Sequence, residues 1–209
     1  TTFHLLANSD VEHKESVFTS KTSSTQKEKF LKTSAIYGYN ASGKSNFIKA
    51  IRFFRDFVAY GLFANNKIPV NQFLLSAQTE NKPSFFEAEI LLDNTIYVYG
   101  FETSQKEVES EWLYRKSDHK KWCFEREKQK TKPARNFKEY NDEIMKMTRE
   151  DALLLSNLAR FNGELSRRIV DTISKIEVIA SDDHELIAKL FSVAVQKFTD
   201  DESYRKFMF

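Results

Sequence analysis

Cysteine, proline and glycine are scarce in this chain. Its 209 residues hold one Cys, three Pro and five Gly. A single thiol, Cys123, excludes an internal disulfide and a cysteine zinc centre, and it suits a reducing compartment. Its flanks, Lys-Lys-Trp before and Phe-Glu after, read as a strand, so the thiol is expected to be a small buried hydrophobe. An excess of one charge sign is also lacking. Thirty-two basic residues face 30 acidic ones, for a net charge of +2. That excludes a global electrostatic pull toward nucleic acid or an anionic membrane. No apolar run reaches the length of a membrane span, and the opening residues carry no leader pattern. These absences together predict a cytoplasmic protein without membrane contact. The first residue is Thr rather than Met, so a preceding segment is expected.

What is abundant is phenylalanine, with 19 residues. Apolar residues make up 41% and charged residues 30%, as in an ordinary globular protein with one sizeable core. Residues 3–7 read as a short strand, and residues 8–32 as a polar loop. Ala35, Ile36 and Tyr37 read as a short buried strand ending at Gly38. Phe47, Ile51, Phe54 and Val58 then recur at helical spacing, with an end expected before Gly61. Residues 61–83, including Val-Asn-Gln-Phe-Leu-Leu-Ser, read as a connector.

From residue 84 the period changes to two. Phe86, Ala88, Ile90 and Leu92 alternate with Phe85, Glu87, Glu89 and Leu91. Asp93-Asn94 makes a turn, and Tyr97, Tyr99 and Phe101 share the next face. Val108, Ser110, Trp112 and Tyr114 continue the alternation with Trp112 as core, and Trp122 with Phe124 marks a fourth strand. Residues 84–126 are thus expected to form an antiparallel meander, closed by the basic break of residues 128–133. Beyond residue 136 the pattern is helical. Ala152, Leu155, Leu158 and Ala159 form one stripe, opened by a capping-box spacing of Thr148 and Asp151. Asn162-Gly163 interrupts it, and Leu165, Ile169, Ile173 and Ile176 form a second stripe. Residues 184–198 are a further amphipathic segment. Phe53, Phe54 and Phe57 make the first helix apolar on two faces, which calls for burial against a sheet.

One motif carries chemistry. Gly38, Gly43, Lys44 and Ser45 fill every fixed position of G-x-x-x-x-G-K-[ST]. Gly38 would let the chain turn, and Gly43 would let backbone amides approach phosphates at a helix start. Lys44 would reach the β- and γ-phosphates, and Ser45 would offer its hydroxyl to Mg²⁺. Asn40, Ala41 and Ser42 form the loop body, and Asn46 follows it as a further contact near the phosphates. Asn40-Ala41-Ser42 also spells a glycosylation triplet, a coincidence inside such a loop.

The run Ala-Ile-Tyr-Gly-Tyr-Asn-Ala-Ser-Gly-Lys-Ser-Asn-Phe-Ile-Lys-Ala-Ile of residues 35–51 resembles the Walker A segment of ABC-type ATPase heads. It is most similar to the prokaryotic AAA15-type and OLD-like ATPases, which are related to RecF, Rad50 and SMC heads. Residues 82–102, 109–114, 122–127 and 151–162 look like later pieces of that group, so the likeness spans roughly residues 31–180. It implies an α/β P-loop NTPase of ABC type. Residues 1–126 would be its Walker A and β-rich part, and residues 134–209 a helical segment of the same head. It further implies ATP and Mg²⁺ as cofactors and a homodimer of heads that sandwiches the nucleotide. A partner nuclease or toxin in an anti-phage system is implied too, with Lys44 as the catalytic lysine. DNA is a further candidate ligand. The alternatives are a RecF- or SMC-like repair head, or an ATP-binding interaction module without turnover. A P-loop kinase or GTPase is weaker, since no guanine-reading N-K-x-D occurs.

Turnover also needs a carboxylate on Mg²⁺ and a group to orient water. No apolar strand ending in Asp-Glu is found. Residues 178–183 come nearest, with Ser181 breaking the run before Asp182-Asp183. A signature run is absent, and Gln72 and Gln78 are Q-loop candidates by position only. His184 beside Asp182, Asp183 and Glu185 reads as a solvated loop rather than a metal site. The chain therefore looks like the first half of a head, a piece that would not turn over ATP alone. Lys120, Lys121, Lys128, Lys130 and Lys132 around Trp122 read as a lysine-guarded hairpin edge rather than a nucleic-acid patch, because Glu125 and Glu127 interleave with them.

Overall fold

The computed structural model describes residues 2–8, 13–22, 27–61, 67–70, 82–117, 120–179, 187–188, 191–193 and 195–196. The chain divides into two compact units, residues 1–176 and 177–209. In the second unit, residues 187–188, 191–193 and 195–196 are helical, and Ile187, Phe191, Val193 and Val195 are exposed. Gln72, Gln78, Asp182, Asp183, His184 and Glu185 lie outside the described residues, as does the end of the chain.

The first unit is built on a five-stranded antiparallel meander. Its strands are β3 (Ser84–Leu92), β4 (Thr95–Thr103), β5 (Val108–Arg115), β6 (Lys121–Glu127) and β7 (Lys130–Pro133), in that order. The expected alternation puts Phe86, Ile90, Tyr99 and Phe101 on the face toward the helices. Asp93 and Asn94, both at positive φ, turn β3 into β4 as Asp and Asn readily do. The basic break is in fact strand β7. An edge strand needs no apolar alternation, and its lysines with Pro133 at the end discourage further pairing.

Helix α1 (Lys44–Tyr60) packs on this sheet through phenylalanines. The ring of Phe54 stacks on Phe101 at 5.6 Å, and Phe57 meets Phe101 edge to face at 5.4 Å. Phe53 lies 5.0 Å from Phe86. Burying such rings stabilises by about 1.5–3 kcal/mol each. Three short helices, α2 (Asp142–Met147), α3 (Leu154–Arg160) and α4 (Glu164–Ser174), complete the layer. Asn162, at positive φ, and Gly163 separate α3 from α4 as the sequence predicts.

Three expectations fail at the amino-terminal end and in the helical layer. Residues 8–32 contain β1 (Val17–Lys21) and β2 (Lys27–Leu31), an antiparallel ribbon that Leu6 also joins through Phe30. Half of its ten residues are exposed and the others half-buried, so no apolar alternation marks it; Phe18 stacks on Phe30 at 5.4 Å. Residues 35–37 are not a strand. Among the described residues nothing pairs with them, and Tyr37 is 91% exposed. The capping box also fails. Thr148 closes α2, its hydroxyl donating to the Ile144 carbonyl at 2.8 Å.

A carboxylate from the sheet caps α3 instead. Glu111 Oε2 accepts from Leu154 N at 2.7 Å, and Oε1 accepts from Leu155 N at 2.9 Å. Tyr99 Oη donates to Oε1 at 3.0 Å, and Arg126 Nη1 donates to Oε2 at 3.2 Å. Both ionic side chains are fully buried. Arg126 spends its other donors on the carbonyls of Lys128, Arg149 and Ala152. Burial, and then the neighbouring Glu111, push the Tyr99 phenol well above its usual range, so it remains a neutral donor. The same geometry corrects the face of β5. Glu111 and Leu113 point into the core, while Trp112 lies on the opposite face.

Glu111→Ala strands a buried guanidinium and two helix amides. Urea unfolding is expected to show a loss of about 3–5 kcal/mol, the cost of breaking a buried pair from one side. A loss below about 1 kcal/mol would mean that water satisfies these groups.

Candidate functional site

The glycine-rich loop of residues 38–43 leads into α1. Each glycine in it has a specific local reason. A Cβ on Gly38 would sit 2.5 Å from Ser42 Oγ, so a larger residue there would turn that hydroxyl away. Gly43 is the N-cap of α1 at φ 95°, a left-handed conformation that costs other residues about 1–2 kcal/mol. Ala41 takes a similar φ of 64° without that licence. The loop is closed by Ser42 N donating to the Tyr39 carbonyl at 3.2 Å.

Lys44 folds back over the loop. Its Nζ donates to the carbonyl oxygens of Gly38 at 2.5 Å and Tyr39 at 2.7 Å, with Ser42 Oγ at 3.4 Å. The ammonium thus stands at the mouth of the loop. Ser45 and Asn46 are exposed in the first turn of α1. No side chain caps this helix and no acidic residue occupies its first turn. The amide donors and positive dipole end therefore suit an anion. Gly38, Asn40, Ala41, Ser42, Gly43, Lys44, Ser45 and Asn46 lie in one exposed loop and helix start.

The far end of α1 is held firmly. Ser156 Oγ of α3 donates to the Val58 carbonyl at 2.8 Å. Arg160 Nη2, also of α3, donates to the Tyr60 carbonyl at 2.7 Å. Both carbonyls belong to the last turn, which the helix itself leaves unpaired. Gly61, at φ 77°, terminates it. Sequence reading missed these anchors because Ser and Arg on an amphipathic helix look like surface residues.

Among the described residues no group of three His, Cys, Asp or Glu could hold a metal ion. Cys123 is part-buried in β6, and burial pushes its thiol up to about 11, which makes it a poor nucleophile. No described helix is long and apolar enough to cross a membrane.

The model of a protein family described as "AAA domain, putative AbiEii toxin, Type IV TA system" matches residues 34–207. The chain belongs to this AAA-domain family. It is a P-loop ATPase domain, and the match takes in the loop, the meander and the helical layer together. Membership of this AAA-domain family agrees with the ATP-binding reading of the loop and with an α/β fold. No curated protein and no solved structure matches the chain.

The two left-handed positions give opposite expectations. Gly43→Ala should lower stability in urea by about 1–2 kcal/mol, whereas Ala41→Gly should leave it unchanged or raise it. Equal destabilisation by both would show that the loop does not hold these angles in solution.

Proposed function

We propose that this chain is the ATP-binding part of an ABC-type head, in which ATP drives two heads together and gates a partner effector. The observation that carries the reading is the loop itself. An uncapped 17-residue helix starts behind Gly43, with Lys44 at the loop mouth and Ser45 exposed beside it. Backbone amides and Lys44 would hold the β- and γ-phosphates. Ser45 would hold Mg²⁺, with Asn40, Ala41, Ser42 and Asn46 shaping the cradle. Bound ATP supplies the scissile phosphoanhydride; this chain supplies binding and charge stabilisation.

The loop faces outward. That exposure favours a site completed by a second surface, which in the ABC-type reading is the partner head. The AAA15-type and OLD-like resemblance and the family's toxin–antitoxin description support an anti-phage role with a toxin or nuclease partner. The reading assigns binding to the isolated chain and turnover to the completed assembly in the cytoplasm.

Lys44→Ala should weaken ATP binding, measured by calorimetry, by at least about tenfold, or about 1.4 kcal/mol. Unchanged affinity would refute the assignment of the loop. Steady hydrolysis by the pure 209-residue chain would show that the chain carries its own catalytic carboxylate and would refute the assignment of turnover to further parts.

A further inference from the structure

The face of the meander turned away from the helices carries aromatic side chains outside the core. Trp112 lies flat on Gly100, where an added Cβ would come within 2.5 Å of the indole. Its Nε1 donates to Glu87 Oε2 at 2.8 Å, and Phe85 packs beside it at 5.4 Å. Tyr114 and Trp122 meet edge to face at 5.1 Å. Phe85 and Trp122 remain 58% and 39% exposed, over a dry floor that includes Val98. Exposed rings in such a cluster are a surface feature that calls for an occupant.

The strand register sets charge across this face. One row runs Glu87, Gly100, Trp112, Glu125, Lys132, and the next runs Phe85, Glu102, Ser110, Glu127, Lys130. These rows line an open groove. Five carboxylates line it, those of Glu87, Glu102, Glu109, Glu125 and Glu127, together with Lys120, Lys128, Lys130, Lys132 and Arg126, whose guanidinium is already paired with Glu111. The groove already attracts a cation of its own chain: Lys120 Nζ stands 4.5 Å from the Tyr114 ring centroid and 5.7 Å from that of Trp122. Aromatic faces beside carboxylates are the chemistry that recognises cations. A guanidinium fits it best, because it stacks on an indole and pairs with a carboxylate at once. Nucleic acid is the less favoured occupant, since its phosphates would meet five carboxylates as well as the lysines.

We propose that this groove docks an arginine side chain presented by a segment of a partner protein, and that Lys120 fills its aromatic end in the free protein. The proposal is independent of the nucleotide loop, so the two can fail separately.

Trp112 and Trp122 are the only tryptophans in the chain, which makes indole fluorescence a direct readout. The full chain is titrated with a capped peptide alternating glycine and arginine, with the matched glutamate peptide, and with oligo(dT). A saturable change with the arginine peptide alone is expected. Lys120→Met removes the competing cation and should tighten binding by about threefold or more. Glu125→Gln should weaken it by a similar factor, about threefold. Both positions are exposed, so the variants should fold, as circular dichroism would verify. No saturable change with the arginine peptide, equal binding of the glutamate peptide, or saturation by oligo(dT) would overturn the proposal. So would weaker arginine binding by Lys120→Met.

Discussion

The carboxylate of Glu111, sealed from water, joins the sheet to the helices. It accepts from the first amides of α3 and is neutralised by the equally buried Arg126. An isolated charge could not sit there, because desolvation alone would cost several kcal/mol. The pair persists because every nitrogen of the guanidinium finds an oxygen. Arg126 reaches the carbonyls of Arg149 and Ala152, so one salt bridge fixes both the approach to α3 and its start. The phenol of Tyr99 completes the shell.

From α3 the constraint passes to the nucleotide loop. Ser156 and Arg160 hold the carbonyl end of α1, while phenylalanines seat its middle on Phe101 and Phe86. The amino end is left without a cap. A helix fixed at one end and open at the other presents its dipole and amides to an incoming phosphate without rearranging its core. The exposed loop and the buried network are thus two ends of one arrangement. Glu139 repeats the device by capping α4 through Ser166, with its amide and hydroxyl at 3.0 and 2.6 Å.

Much of this was legible in the residues. The phosphate loop is written in fixed spacings, so its members could be named one by one, and they lie in the turn that leads into α1. The helix of residues 44–60 and strands β3, β4 and β6 follow from periodicity, even though β4 is buried on both faces. Legibility failed wherever a residue's partner is distant in sequence. Glu111 has the chemistry of a surface residue; only the amides of Leu154 and Leu155, more than 40 positions away, make it a core residue. That inverted the reading of β5 and placed Trp112 inside. Residues 35–37 failed in the opposite sense: their apolar character suggests a strand, yet a strand needs a neighbour. The β1–β2 ribbon went unseen because a pair with no fully buried residue carries no burial pattern.

Hydrogen exchange tests the coupling most directly. In Glu111→Gln one acceptor of the cap is lost while the fold should survive. The amides at the start of α3 and in the last turn of α1 should then lose protection together, by about tenfold, while the β1–β2 ribbon stays as it was. Loosening of α3 with α1 unchanged would contradict the claim that the nucleotide-loop helix is held, through α3, by the buried carboxylate.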